Sequence, residues 1–474
     1  MTFRISLHSI LTMALVGIVF FVVFSSAALQ RSEGRRDDVF GRVAHGVAQF
    51  PDTVSIAIGT AKAMITGVAG DIHLVLPRDI PSLEGFEPVK VADTEEVVPG
   101  LMVRATGAET PGWRLLSGAF MLSDGPQNAA LLMNPQNEVQ QVWRLHETAL
   151  TENADQVMGY IGDNTQNRKL VHGIEILEDG GLAFVFDGGN SFQRVSACGE
   201  LEWVRAGHYH HSVAYSADDN TLWTMRRHQF DYYSEWMFGG GTSGFVQVDA
   251  ETGEILRQFT VGEIADANPD LGIFGIARHD TNHETSNPVG VSAVWNPDPW
   301  HFNDVEPLPA AWADAFPMFE AGDVVISART TNAIFVVDPD TLEVKWYRIG
   351  AWERQHDPDF RPDGTIMVFD NRMGRGRSDI VTVDPVTMER KVVVNGDDHD
   401  FYTYIRGKQQ VLPNGHLTMV SPQQGRVLEL DGSGEIALEM YNLKPETEQN
   451  YVVTEVLWLP PDTFDPTQFA RCSG

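Results

Sequence analysis

Five histidines of this chain each stand at the start of a hydrophobic, strand-like segment. They are His172, His211, His301, His356 and His399. A neutral imidazole can serve near neutral pH as a nucleophile, a general base or a metal ligand. A single histidine in this setting is more often a hydrogen-bonded structural residue. Five in similar positions indicate a repeated structure that gathers them.

Arginines accompany three of these histidine segments. They are Arg329 after His301, Arg375 and Arg377 in a glycine-rich turn after His356, and Arg406 seven residues after His399. A guanidinium fork is suited to grip a sulfate, phosphate or carboxylate. The alternative is that these arginines are solvated or pair with some of the 65 acidic residues. Their position beside the histidines favours an anion site.

The elements that must position these residues are revealed by a second repeat, a short polar turn ahead of a strand. Six such turns occur, and the last three begin at Val337, Val383 and Leu430, which are 46 and 47 residues apart. A period of about 40–50 residues with several strands per unit is typical of a β-propeller. If each unit begins beside the axis, the histidines surround one channel.

Composition excludes several classes of function. The 474-residue chain has a net charge of −31, which argues against a nucleic-acid partner. It contains no phosphate-binding loop, nucleophile elbow or dinucleotide fingerprint. His208, His210 and His211 could ligate a metal, but no cysteine or acidic cluster accompanies them. We therefore predict neither a cofactor nor a metal.

The N-terminus is apolar and lacks charged side chains between Ile5 and Gln30. This length approaches the ~20 residues that span a bilayer, so residues 1–30 are predicted to be a signal anchor or signal peptide. Residues 31–110 are predicted to form a juxtamembrane helix and accessory strands, and residues 111–474 the propeller. Residues 451–459 are expected to close the ring against the first blade. Cys198 and Cys472 could pair, but sequence alone does not show their proximity.

Short motifs between residue 111 and the C-terminus resemble the bacterial arylsulfotransferase family. The matching segments are 111–116, 172–173, 178–181, 300–303, 355–357, 370–376, 399–402 and 412–415. The resemblance implies a six-bladed propeller with a central histidine that is transiently sulfated. It also implies that a sulfuryl group moves from a phenolic sulfate ester to another phenol without a nucleotide donor.

The same resemblance assigns roles to individual residues. His399, in its His-Asp-Phe-Tyr setting, matches the family's sulfated histidine, and His301 and His356 match the two that cradle the sulfate. Arg375 matches the sulfate-binding arginine. The fold class is therefore predicted as all-β, a six-bladed β-propeller preceded by a transmembrane or signal helix and a short helical and β segment.

The remaining candidates are substrate-binding residues around the same channel. They are His172, His211, Arg329, Arg377, Tyr402 and Arg406. The expected partners are a small aryl sulfate, a phenol and the membrane, with the protein periplasmic and anchored in the inner membrane by residues 9–29. Two alternatives stay open at this stage: a ligand-binding or scaffold propeller without catalysis, and a hydrolase or metal-dependent lyase that uses the same channel.

Overall fold

The computed structural model describes residues 75–77, 82–146, 170–187, 189, 191–227, 243–272, 300–447, 449–470 and 472. These residues form 28 strands, two α-helices and three 3₁₀ helices. The strands are β1 (Val75–Pro77), β2 (Glu87–Lys90), β3 (Val97–Ala105), β4 (Trp113–Leu122), β5 (Gly125–Met133), β6 (Val139–Arg144), β7 (Val171–Ile176), β8 (Leu182–Phe186), β9 (Ser191–Val195), β10 (Leu201–Ala206), β11 (His208–Ser216), β12 (Thr221–Arg227), β13 (Ser243–Asp249), β14 (Ile255–Thr260), β15 (Phe302–Pro307), β16 (Val324–Ala328), β17 (Ala333–Val337), β18 (Val344–Ile349), β19 (His356–Phe360), β20 (Ile366–Asp370), β21 (Asp379–Val383), β22 (Arg390–Val394), β23 (Lys408–Val411), β24 (Leu417–Ser421), β25 (Arg426–Leu430), β26 (Ile436–Lys444), β27 (Gln449–Tyr451) and β28 (Val453–Leu459). The helices are α1 (Val261–Ala267), α2 (Pro466–Ala470) and the 3₁₀ turns Ala310–Ala315, Gly396–His399 and Pro422–Gln424.

The strands build an all-β propeller from antiparallel sheets. Five sheets are four-stranded blades, with the orders β28-β4-β5-β6, β7 to β10, β11 to β14, β15 to β18 and β19 to β22. In the last four of these blades the chain runs from the inner strand outward. The outermost strands β10, β14, β18 and β22 expose much of their surface, whereas the strands beneath them are buried. This explains why the inner segments read as nearly continuous hydrophobic runs.

A sixth sheet has eight strands. Its main path is β1-β27-β26-β25-β24-β23, and β3 joins it by pairing with β26 and with β2. Residues 97–105, which the sequence assigned to an accessory segment before the propeller, therefore extend the outer edge of this sheet. Pairing in this way covers the exposed edge of β26.

The innermost strands contact one another in a closed circuit, in the order β7, β11, β15, β19, β23, β28 and back to β7. The C-terminal strand β28 pairs with β4 of the first blade, with Trp458 opposite Arg114. This confirms the expected closure by residues 451–459. A disulfide between Cys198 and Cys472 then joins the C-terminal tail to the blade formed by β7 to β10.

The predicted N-terminal helix at residues 9–29 lies outside the described residues, as does the predicted juxtamembrane helix. Within the described ranges, no helix has both the length and the apolar character that a bilayer crossing requires. The site described below lies in the compact unit formed by residues 70–278 and 297–474.

Candidate active site

Most of the innermost strands break register where they reach one mouth of the channel. The breaks lie between Val171 and Gly173, His210 and Val213, Phe302 and Asp304, His356 and Asp359, and Val453 and Glu455. A β-bulge leaves an extra residue unpaired and re-aims its side chain. The residues at these breaks that line the axial cavity are His172, His211, Ser212, Asn303, Asp357 and Thr454.

The backbone is strained around the same cavity. His211, His301, Asp357 and Arg406 all have left-handed φ values, of 66°, 48°, 51° and 62°. A left-handed conformation costs a non-glycine residue about 1–2 kcal/mol. Strained residues of this kind cluster at functional sites because the surrounding structure holds them there. Four such residues thus lie at or beside the cavity that the bulge residues line.

Gly173 shows how closely the inner strands approach there. A Cβ atom at this position would lie 2.2 Å from the carbonyl oxygen of His211. Only glycine permits that approach, and it brings His172 beside His211. Their ring centroids are 4.6 Å apart.

The axial cavity is small, about 10 Å³, which is roughly the space of one water-sized sphere. Besides the bulge residues it is lined by Asp304, His356, Arg406, Gly407 and Lys408. A sulfuryl group cannot enter a space of this size without movement of the lining side chains.

Three histidine rings form a hydrogen-bonded chain across the mouth. Nε2 of His211 lies 3.1 Å from Nε2 of His301, and Nδ1 of His211 lies 2.5 Å from Nδ1 of His210. The His211 and His301 rings meet edge to face, with an interplanar angle of 89°. His211 therefore uses both ring nitrogens to connect its two neighbours.

His356 is held in a single tautomer. Its Nδ1 lies 2.7 Å from Oδ1 of Asn371, an acceptor, so Nδ1 carries the proton and donates it. Its Nε2 accepts a hydrogen bond from the backbone N–H of Arg406 at 3.1 Å. Burial, reinforced by the nearby charge of Arg329, holds the pKa of His356 well below its ordinary value. His356 is therefore neutral at pH 7, with its lone pair on Nε2.

His172 is a second neutral ring in the site. Burial lowers its pKa to about 3, although the carboxylate of Asp187 acts in the opposite direction. Its Nδ1 has no hydrogen-bond partner among the residues that the structure describes. Two neutral imidazoles thus border one cavity.

Two arginines supply positive charge beside these rings. Arg406 donates from its guanidinium to Asp187 at 2.5 Å, and its side chain is only 11% exposed. Arg329 lies near enough to lower the pKa of His356, and its backbone N–H donates to the carbonyl of His301. The attraction between opposite charges at such distances becomes stronger as water is excluded. Asp187 thus holds the guanidinium of Arg406 beside the rings.

Below the histidines the channel is lined by carboxyl groups around one lysine. Nζ of Lys408 lies 2.5 Å from Asp357 and 3.5 Å from Asp304. Burial raises the pKa of the carboxyl groups Glu175, Glu306, Asp357, Asp359 and Glu455. The residues Glu175, Glu306 and Asp359 keep some accessible surface, because they face the interior of the channel rather than bulk solvent. Within the part of the chain that is described, no group of three histidine, cysteine or acidic side chains fits a metal ion.

Not all the predicted residues meet at this cavity. His172, His211, His301 and His356 are brought together, and Arg406 and Arg329 are beside them. His399 lies elsewhere: it ends the 3₁₀ turn Gly396–His399 after the outer strand β22, and the charges acting on it are mainly those of Arg426 and Asp398. In this blade Arg406 and Gly407, rather than a histidine, directly precede the inner strand β23.

The predicted arginine turn also points away from the axis. Arg375 is 61% exposed and pairs with Glu353, and Arg377 pairs with Asp397. Both belong to the connection between β20 and β21. Tyr402 accepts a hydrogen bond from the backbone N–H of Gly374 and does not line the cavity. The physical reason is that this connection follows the second strand of its blade and reaches the outer part of the rim.

Sequence reasoning missed several residues of the site. They are Asn371, Asp187, Lys408 and the channel carboxyl groups, and His210 was considered only as a metal ligand. Asn371 could have been found, because it lies in the 370–376 motif, but only the arginines of that motif were considered as site residues. Asp187 and Arg406 are 219 residues apart, and no local pattern joins them.

Comparison with known proteins gives a family. The chain matches the sequence model of the family described as arylsulfotransferase (ASST) over residues 173–443, more than half of its length. No curated protein matches it in sequence.

Solved structures resemble it more distantly. A protein of unknown function from Bacteroides caccae has a TM-score of 0.46 at 12% identity, with 74% of this chain and 99% of that chain covered. TolB from Acinetobacter baumannii has a TM-score of 0.43 at 10% identity, with 75% and 69% covered. A likeness at this level carries no functional argument.

Proposed function

Since this chain belongs to the arylsulfotransferase family, we propose that it transfers sulfuryl groups from a phenolic sulfate ester to a phenolic acceptor, without a nucleotide donor. We propose a ping-pong course through a sulfohistidine. The observation that carries this proposal is the tautomer of His356. Its Nδ1–H is committed to Asn371, which leaves the lone pair on Nε2 beside the cavity, where the backbone N–H of Arg406 donates to it until sulfur displaces that hydrogen bond.

We assign the nucleophile to His356 rather than to His399. A nucleophilic imidazole must be neutral, and burial keeps the pKa of His356 well below neutral pH. Burial lowers the pKa of His399 as well, so position and not charge separates the two: His399 is partly exposed and does not line the cavity.

The first half-reaction forms one bond and breaks one. Nε2 of His356 attacks the sulfur of the donor, and the bond between sulfur and the aryl oxygen breaks with its electron pair going to the aryl oxide. In the second half-reaction the oxygen of the acceptor attacks sulfur, and the S–N bond breaks with its pair returning to Nε2. The guanidinium groups of Arg406 and Arg329 offset the charge on the sulfate oxygens. When sulfur is attached to Nε2, the N–H of Arg406 is positioned to donate to one of those oxygens.

The narrow cavity suggests how a donor is admitted. Arg406 is at present paired with Asp187, whose side chain is 42% exposed at the rim. Exchange of this carboxylate for the sulfate of the donor opens the mouth and keeps Arg406 paired.

The eight-stranded sheet supports a six-bladed ring, because its strand β23 takes its place between β19 and β28 in the inner circuit. We also propose an exported, periplasmic protein anchored by residues 9–29. The disulfide between Cys198 and Cys472 supports export, since such bonds persist in oxidising compartments.

The test is to mix the purified protein with 4-nitrophenyl sulfate, with and without phenol, and to follow nitrophenolate release together with the intact mass. We expect acceptor-dependent release and an acid-labile sulfuryl adduct. His356→Ala should lose both, whereas His399→Ala should keep the adduct.

Each other outcome has a defined meaning. Release that does not depend on phenol identifies a hydrolase, and no release with any aryl sulfate favours a binding propeller. An adduct that persists in His356→Ala but disappears in His399→Ala restores the assignment to His399.

A further inference from the structure

Sulfuryl transfer to a phenol requires that the hydroxyl proton be removed, and the site contains a route for it that the proposed reaction has not used. His301, His211 and His210 are hydrogen-bonded in series through His211. His301 is half-buried at the mouth, while His210 is only 6% exposed. The series thus leads from the mouth into the protein.

The arrangement of the nitrogens allows a proton to pass along this series. A neutral imidazole has one N–H and one lone pair. Because both nitrogens of His211 are in hydrogen bonds, the ring donates through one and accepts through the other. If His301 donates from Nε2, His211 accepts at Nε2 and donates from Nδ1 to His210. A proton that enters at one end can therefore leave at the other after each ring changes its tautomer.

We propose that His301, His211 and His210 form a proton relay, with His210 as its terminal positioning residue. This inference rests on the proposed function. The hydroxyl proton of the acceptor passes to Nδ1 of His301. The proton on Nε2 of His301 passes to Nε2 of His211, and the proton on Nδ1 of His211 passes to Nδ1 of His210. The phenolate oxygen then attacks sulfur. The reverse shift returns the proton to an aryl oxide that leaves as the neutral phenol, so that no proton is gained or lost over the cycle. With a donor whose aryl oxide leaves as the anion, one proton passes to the solvent in each cycle.

His210→Gln is the diagnostic variant. Glutamine can still hydrogen-bond to His211, but its amide cannot take up the proton that His211 passes on. With 4-nitrophenyl sulfate as donor, formation of the adduct should be unchanged, because nitrophenolate leaves without a proton. Transfer to phenol should be at least ~10-fold slower, since general acid–base assistance is typically worth ~10²–10⁴-fold. The adduct should therefore accumulate in the steady state.

The ionisation state of the acceptor phenol distinguishes a relay role of His210 from a purely structural one. A phenol that is already ionised at the assay pH does not need its proton removed, so it should restore transfer in His210→Gln. His416→Gln is the matched control, because His416 is a histidine bonded to Glu429 outside the relay. It should leave both half-reactions unchanged.

A second variant guards against misfolding. His301→Gln breaks the other end of the same series, so the double variant should be no slower than the slower single variant. Three results would overturn the relay. One is transfer to phenol by His210→Gln as fast as by the wild type, and another is that the rate losses of the two single variants add fully in the double variant. The third is a slow transfer in His210→Gln that the ionised phenol does not restore. If the wild type forms no adduct, the proposed function fails, and the relay fails with it.

Discussion

Nδ1 of His356 and Oδ1 of Asn371 lie 2.7 Å apart, and this hydrogen bond determines which nitrogen of the ring can react. An amide oxygen can only accept, so the proton must be on Nδ1. The amide nitrogen of Asn371 donates in turn to the carbonyls of Thr403 and Arg406. One asparagine thus orients both the histidine and the segment that carries Arg406.

We expect Asn371→Asp to move the acid limb of the pH–rate profile to higher pH. A carboxylate in hydrogen-bond contact favours the imidazolium form and raises the pKa of His356 by ~1–3 units. More of the ring is then protonated on Nε2 at acidic pH and cannot attack sulfur, so transfer falls on the acid side of the profile. The measurement is the pH dependence of the nitrophenolate burst.

Asn395→Asp is the control for this substitution. Asn395 caps the 3₁₀ turn Gly396–His399, and aspartate caps as well as asparagine does. Its profile should match that of the wild type. An unchanged profile in a folded Asn371→Asp protein would contradict the role given to His356.

Arg406→Gln should slow adduct formation by ~10²–10³-fold, because one preorganised donor to a developing anion typically accounts for that much. The backbone N–H at His356 is retained in this variant, so the loss reports the guanidinium. Arg375→Gln is the matched comparison, since Arg375 is 61% exposed and paired with Glu353. An exposed pair of this kind contributes little, and turnover should stay within ~2-fold. The opposite ranking would return the sulfate-binding role to Arg375.

Glu455→Gln should stabilise the protein increasingly as pH rises. Burial raises the pKa of Glu455 well above 4.5, even though Lys408 acts in the opposite direction, and the side chain is 2% exposed. The folded state therefore keeps a proton that the unfolded state loses above about pH 4.5. The resulting stability is complete below that pH and is lost as pH rises through the folded-state pKa. Glutamine has no proton to lose.

The measurement is chemical denaturation of both proteins between pH 5 and pH 8. We expect the difference in the free energy of unfolding to grow across this range by at most ~1.4 kcal/mol per pH unit. Glu343→Gln, at an exposed glutamate, should give a flat difference. A flat difference for Glu455→Gln as well would show that Glu455 is ionised in the folded protein.

Lys408→Met should destabilise the fold by ~3–5 kcal/mol, because removal of one partner leaves Asp357 and Asp304 without their cation in the channel. The loss should be larger at pH 8 than at pH 5, since burial raises the pKa of Asp357 to about 6 and protonation of this carboxyl group relieves the loss. Lys391→Met, at a lysine that is 69% exposed, is the control and should change stability by about 0–1 kcal/mol. Equal effects of the two substitutions, measured by denaturant titration, would show that the channel charges are not coupled.

The sequence by itself determined the propeller and most of its axial histidines. Strand length, the polar turns and the 46- and 47-residue spacings are local properties, and equivalent positions in a repeat converge on one axis whatever the partners are. This is why His172, His211, His301 and His356 could be predicted to meet.

Only the tertiary structure decided which groups complete the site. His399 also precedes an inner strand in the sequence, but it ends a 3₁₀ turn, and eight residues separate it from Lys408. Arg406 occupies the place beside His356 instead. Arg375 matches the family's sulfate-binding arginine in sequence, yet the connection between β20 and β21 that carries it lies on the outer part of the rim. The pairs Arg406 with Asp187 and Cys198 with Cys472 join distant segments. Such pairs depend on how the blades close into a ring, and no local pattern of residues records that closure.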